Sequence, residues 1–302
     1  MQACPSGCPG NMIKVGLGIG TFLASIVFNP AFMKNLRILL TLAIALSAAA
    51  PLAKADTTVG KPILAVPFVI TKPGTYRLTK GLTNTSTNPA ISILARDVVL
   101  DLNGFTISGE TDIDTDNVGV VVSGVNVIIR NGTIRKFHTA IADRLGASGT
   151  TVEDIICMNQ SSIGVQLAGQ DSVLRRVIVR NTGASDDAPD EIFGLRLAGS
   201  SVIDNCLVQN IPLRADVTSN IGIRLSGGSH VVRETEIHRA FGSGLSTNAD
   251  ISCILERVRI RECGTGLVVS NGQNPLVRES TIRNCVISVQ GAFDDGGRNN
   301  VD

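Results

Sequence analysis

Aromatic side chains are scarce. The 302-residue chain has no Trp, one Tyr and nine Phe, and three of the Phe fall within the first 55 residues. Few platforms are therefore left on which a sugar ring could stack. Histidine is scarcer still, at positions 138, 230 and 238. His138 and His230 read as turn residues, since no second His or Cys lies near them at metal-binding spacing. Neither sign of charge dominates. Residues 1–55 carry four of the 27 Lys and Arg and none of the 26 Asp and Glu, so the remainder holds 23 basic and 26 acidic side chains, a net charge near −3. That excludes a strong nucleic-acid footprint. Five cysteines follow residue 55, an odd and scattered set that does not read as a disulfide framework. Only Cys263 and Cys285 share a column, and two stacked thiols are expected there.

What the chain has instead is a repeat. Asp171 to Asn181, DSVLRRVIVRN, is one copy. Its fourth position is aliphatic every time: Ile129, Val152, Leu174, Ile203, Val232, Leu255 and Val277, at spacings of 23, 22, 29, 29, 23 and 22 residues. The ninth position is apolar as well (Ile134, Cys157, Val179, Val208, Ile237, Ile260, Ile282). A second unit of the form Gly-apolar-x-apolar follows, as in Gly164-Val165-Gln166-Leu167 and Gly222-Ile223-Arg224-Leu225. Each copy thus holds two or three short alternating strands between Gly, Asn and Ser turns, with no room for a helix of ordinary length. A period near 22 made only of strands is a β-solenoid, in which neighbouring coils about 4.8 Å apart share one apolar column. Charges support the register. Position five reads Arg130, Glu153, Arg175, Asp204, Arg233, Glu256, Arg278 and position six, from the second copy on, Asp154, Arg176, Asn205, Glu234, Arg257, Glu279. Signs that alternate down a stack give each charge an opposite neighbour, and a one-residue slip breaks both ladders.

Four segments precede or make up this repeat. Met33-Lys34-Asn35-Leu36-Arg37, the apolar run Ile38 to Ala50 and Ala53-Lys54-Ala55 predict a secretory signal over residues 33–55, cut after Ala55. Residues 1–32 are either an extension from a misplaced start or a membrane anchor. Their Gly16-Leu17-Gly18-Ile19-Gly20 run lacks the strand and helix that a dinucleotide loop needs. Residues 56–66 are a linker onto the domain, 67–302. Pro67 to Thr71 and Thr75 to Thr79 flank Lys72-Pro73-Gly74, which predicts a hairpin capping the open end of the solenoid.

The runs VVLDLNGFTISG (98–109) and VIIRNGTIRKF (127–137), with the Gly-x-x-Leu units, resemble secreted bacterial proteins of the right-handed parallel β-helix repeat type, in the pectate-lyase-like (pectin lyase-like) superfamily. The resemblance covers residues 67 to 291. It implies an all-β fold, a single-stranded right-handed parallel β-helix of about eight coils with an N-terminal capping hairpin, and the rule for parallel crossovers agrees on the hand. It also implies action on acidic polysaccharides lying along one strand face, by lyase or glycoside hydrolase chemistry if the protein is an enzyme. The Trp-x-Asp-His block of pectate lyases is missing here, as is the Gly-His-Gly and Arg-x-Lys pattern of polygalacturonases. Fold therefore leaves activity open.

Two adjacent 29-residue coils carry their surplus at one corner, Thr182 to Phe193 and Ile211 to Asn220. Function in a solenoid collects in such insertions. Asp186, Asp187, Asp190 and Glu191 are candidate ligands for a hard cation such as Ca²⁺. Asp112, Asp114 and Asp116 have Asp-x-Asp-x-Asp spacing, but Asn117 and Ser123 stand where a helical Ca²⁺ hand needs Gly and Glu. Next to the insertions, position ten reads Arg135, Met158, Arg180, Gln209, His238, Arg261, Arg283. Arg180, Arg259, Arg261, Arg283 and Arg214 are candidate contacts to sugar carboxylates. His238 beside Glu236 could move a proton. Asn159, Asn181, Asn210 and Asn284 at position eleven read as a turn-forming amide ladder. Two functions follow: an extracytoplasmic protein that binds or processes an anionic polysaccharide, or a non-catalytic surface scaffold or adhesin.

Overall fold

The computed structural model describes residues 60–110, 117–183, 191–213, 219–248, 251–270 and 272–302, all within the compact unit Thr58–Asp302. The expected leader over 1–55 lies outside the described residues. Each coil contributes strands to three faces. The first holds Ser172–Arg175, Ser201–Asp204 and their equivalents, and the second Ile178–Arg180, Leu207–Ile211 and theirs. Together these two form one 19-stranded sheet bent along a corner. The third face, with Ile163–Leu167, Glu191–Leu197 and Ser219–Leu225, is a separate sheet of ten strands.

Pairing between coils is parallel and its register is that of the repeat. Ile129, Val152, Leu174, Ile203, Val232, Leu255 and Val277 stand opposite one another in turn. All seven are at most 1% exposed, as position alternation requires of the inward side of a strand. The charge ladders form outside them: Arg130 with Asp101 at 3.1 Å, Arg175 with Asp204 at 3.6 Å, Arg233 with Asp204 at 2.9 Å and Arg278 with Glu256 at 3.1 Å.

The corner between the first two faces is made by residues in the left-handed region. Asp154, Arg176, Asn205, Glu234, Arg257 and Glu279 have φ between 50° and 54°. A residue with a Cβ pays roughly 1–2 kcal/mol for that conformation. The stack offsets it, since each corner N–H donates to a carbonyl of the next coil, as Arg176 does to Asp204 at 3.0 Å and Arg257 to Arg278 at 3.1 Å.

Three expectations are corrected. The third face stacks ten strands rather than about eight, because Phe68–Ile70 and Ile91–Ile93 already belong to it. Lys61–Ile63, expected in a linker, is a first-face strand paired with Tyr76 to Leu78. The hairpin does not form. Phe68–Ile70 pairs with Ile91 to Ile93 on the third face, whereas Gly74–Leu78 pairs with Val98 to Asp101 on the first. The Lys72-Pro73-Gly74 turn is a coil corner: Gly74 N–H donates to Asp97 of the next coil at 3.0 Å, not back across the turn. A following coil satisfies both strands in parallel, and both inward side chains, Ile70 and Leu78, are fully buried.

Candidate functional site

Alternation along Ile178–Arg180, Glu236–Ala240 and Arg259–Arg261 turns positions eight and ten outward on the second face. The expected column forms pair by pair: Arg135, Met158, Arg180, Gln209, His238, Arg261 and Arg283 stand in line. What it offers a ligand differs from the expectation, because several members are engaged with one another. Arg261 donates to Glu236 at 2.6 and 2.9 Å. His238 Nε2 lies 3.0 Å from Glu262 Oε2, and Arg239 donates to the same carboxylate at 3.0 Å. The close approach of His238 first, then the Arg239 hydrogen bond, holds the Glu262 carboxyl below the usual carboxylate range. Arg283 is 3.9 Å from Asp302, and Arg135 donates to Ser108 at 2.9 Å.

His238 and Glu236 are therefore neighbours on one strand face, each in contact with a side chain of an adjacent coil, Glu236 with Arg261 and His238 with Glu262. Arg180 and Arg259 remain. Neither has an ion-pair or side-chain hydrogen-bond partner among the described residues, and Arg180 Nε is buried with its hydrogen-bonding capacity unused.

The same face carries an apolar strip at position eight. Position eight reads Ile156, Ile178, Leu207, Glu236, Arg259 down the face. Ile178 and Leu207 are outward-facing and half-buried. Aliphatic residues at an outward position were the available signal. The strip floors a groove of about 570 Å³ along the bent corner, bordered by Arg176, Asn205, Glu234 and Arg259.

Of the insertion residues, Asp186, Asp187, Asp190 and Arg214 lie outside the described residues, as do Asp112, Asp114 and Asp116. Glu191 opens a third-face strand, and its carboxylate takes Arg196 at 2.7 Å, while that guanidinium lies 5.0 Å over the Phe193 ring. A carboxylate so engaged is a poor cation ligand. The pairs Glu191 with Ser219 and Ile192 with Asn220 bring the two insertions back onto the third face side by side. No group of three His, Cys, Asp or Glu among the described residues is placed to hold a metal ion. Cys157, Cys206, Cys253, Cys263 and Cys285 are free thiols, and burial pushes Cys206 up to about 11 and Cys253 and Cys263 to about 12. Such thiols are poor nucleophiles. No helix among the described residues is long and apolar enough to cross a membrane.

Residues 193–301 match the family described as right handed beta helix region. No curated protein matches the chain in sequence. Among solved structures, tailspike protein 2 of Escherichia coli O157:H7 bacteriophage CAB120 is similar over 72% of this chain and 34% of its own, with 13% identity and a TM-score of 0.49. Pectate lyase Pel9A is similar over 77% of this chain and 70% of its own, at 16% identity and a TM-score of 0.46. The catalytic domain of a GH87 alpha-1,3-glucanase is similar over 77% and 64%, at 11% identity and a TM-score of 0.34. The chain thus spans about a third of the tailspike's length.

Proposed function

We propose that this parallel β-helix, which resembles the pectin lyase-like superfamily and matches a right handed beta helix region over residues 193–301, works outside the cytoplasm by binding an anionic polysaccharide laid along the coil stack on its second face. One observation carries this reading: Arg259 borders an open groove floored by Ile178 and Leu207, and Arg180, at the outward position two residues along the strand from Ile178, is the other guanidinium of this face uncommitted among the described residues. They are three coil steps apart, about 14 Å along the stack, a span suited to about three sugar units. A uronic acid chain has carboxylates for the guanidinium groups and C–H faces for the strip. Binding without cleavage fits best, since Glu236 is held by Arg261 and His238 by Glu262. The basic start, apolar run and Ala-x-Ala end of residues 33–55 support export.

Titration with polygalacturonate and alginate oligomers tests this by calorimetry at low and high salt. Binding should weaken as salt rises, because exposed charges are screened over about 8 Å at physiological ionic strength. Arg180→Ala and Arg259→Ala should each cost about tenfold in affinity, the scale of one lost charged hydrogen bond. Arg224→Ala is the control, since that side chain is on the third face and bonded to Asn248 at 2.7 Å. Arg196 is unsuitable as a control because it holds Glu191 at the insertions. Salt-independent binding, or an equal loss in Arg224→Ala, would sink the proposal. A rigid surface scaffold would then be the better reading, which the internal pairing of Arg261, His238 and Arg283 favours.

A further inference from the structure

We infer that the corner joining the second face to the third is a separate binding site for a neutral hexose unit. Asn159, Asn181 and Asn210 occupy this corner in three successive coils, each with φ of 57° or 58°. Asn and Asp tolerate the left-handed region better than other residues with a side chain. Their amides form a one-way chain: Asn210 Nδ2 donates to Asn181 Oδ1 at 3.1 Å, and Asn181 Nδ2 to Asn159 Oδ1 at 3.1 Å. A one-way chain leaves its two ends unmatched. Asn210 Oδ1 accepts from no described residue, and Asn159 Nδ2 donates to none. In the next coil the position is Arg239, whose Nε goes to Glu262 while its two Nη groups have no partner among the described residues.

Beside this row stands a ring. Phe241 N–H donates to Ile211 at 3.0 Å, which sets the residue next to Pro212 of the preceding coil. The ring is 49% exposed, against 1% for Phe137 and Phe193 and 5% for Tyr76. Among the described residues it is the single exposed aromatic, in a chain that has few to spare. Asn159, Asn181, Asn210, Pro212, Arg239 and Phe241 together border a groove of about 540 Å³, within the roughly 300–1,000 Å³ usual for small-ligand sites.

The chemistry of this border selects its occupant. A pyranose carries hydroxyl groups that both donate and accept around its rim, and an apolar C–H patch on its face. The corner presents an unmatched acceptor, unmatched amide and guanidinium donors, and one ring with an apolar flank from Pro212. Charge is small, because Glu262 neutralises Arg239. An anionic sugar therefore gains little here over a neutral one. This inference concerns a different groove from that of Ile178, Leu207 and Arg259 and does not depend on it.

Cellotetraose, maltotetraose and chitotetraose are the probes, followed by saturation-transfer NMR and calorimetry at millimolar concentration. At least one should bind, with an affinity unchanged by salt and by Arg180→Ala or Arg259→Ala. Phe241→Ala should weaken it about tenfold and Phe241→Tyr should preserve it, since the ring is what is needed. Asn210→Gly, which keeps the corner conformation and removes the amide, should weaken it as well. Phe241 is too exposed for its loss to unfold the coil, so each variant should keep the parent melting temperature. Failure of all three probes to bind, or undiminished binding by Phe241→Ala, would overturn the inference. Salt-sensitive binding that is lost in Arg180→Ala and kept in Phe241→Ala would place the sugar in the other groove and overturn it too.

Discussion

His230 sits in the core, 1% exposed, between Ser201 Oγ at 2.8 Å and the Gly227 carbonyl at 2.6 Å. A carbonyl can only accept, so Nε2 bears the proton and Nδ1 accepts from the Ser201 hydroxyl. The ring is a neutral link between strands that face each other, Ser201 being its register partner, and not the turn residue its place in the repeat suggested. Burial lowers its pKa from 6.5. The unfolded chain then takes up a proton first, so this group stabilises the fold above pH 6.5 and the stability is lost as pH falls below that value. Asp143 works in the opposite sense. Burial raises its pKa despite the N–H groups of Ala168 and Gly169 at 2.6 and 2.8 Å, so its contribution declines as pH rises. The melting temperature should therefore drop between neutral pH and pH about 5, and His230→Gln should flatten that slope relative to the parent whatever it does to the absolute value. An unchanged slope would mean that the imidazole is not the titrating group.

The third-face strands show why a glycine belongs where strand formation would ordinarily disfavour it. Gly222 is central in Ser219–Leu225, yet a Cβ there would come within 2.6 Å of the Gly244 carbonyl oxygen and 2.8 Å of Ile237 Cγ2. Gly194, Gly244 and Gly266 are crowded in the same way, each by a position-nine Val or Ile and the backbone of the next coil. Gly222→Ala, worth a gain of about 0.5–1 kcal/mol in an open strand, should instead destabilise by roughly 1–3 kcal/mol in urea denaturation. A neutral result would show that the two faces can part to admit a methyl group. This glycine column, the inward apolar positions and the coil register were all readable from the repeat, because a slip of one residue would expose every buried side chain at once. Partner choice among exposed charges was not. Arg261 has carboxylates on two sides and takes Glu236, which flexible side chains on a shared ladder decide and spacing does not. The first coils escaped the repeat for a different reason: four residues separate Asp101 from the second-face strand at Thr106, against two between Arg130 and Thr133. One template length could not cover both corners, and the coil count came out low.

At the scale of the whole unit, coil length varies while coil contact does not. Register partners are 22 residues apart at Val152 and Leu174, 29 apart at Leu174 and Ile203 and again at Ile203 and Val232, and 23 apart at Val232 and Leu255. The extra residues enter at the corner that leads to the third face, so the stack rises by the same step whether a coil is short or long. Each coil also packs chiefly against its immediate neighbours, which makes the unit close to a one-dimensional array. Held by its two ends and stretched, such an array should give way from an end, one coil at a time. Every coil released would lengthen the tether by its own contour, at about 3.5 Å per residue: roughly 75–85 Å for the coils of 22 to 24 residues and about 100 Å for the three of 29, Leu100 to Ile129, Leu174 to Ile203 and Ile203 to Val232. A force trace should therefore show shorter and longer steps, with two of the three longest consecutive, whereas a single rupture of the entire length would mean that the coils yield as one body. The two consecutive long steps would then also be a mechanical mark, locating along the tether the point at which the corner of Asn181 and Asn210 comes apart.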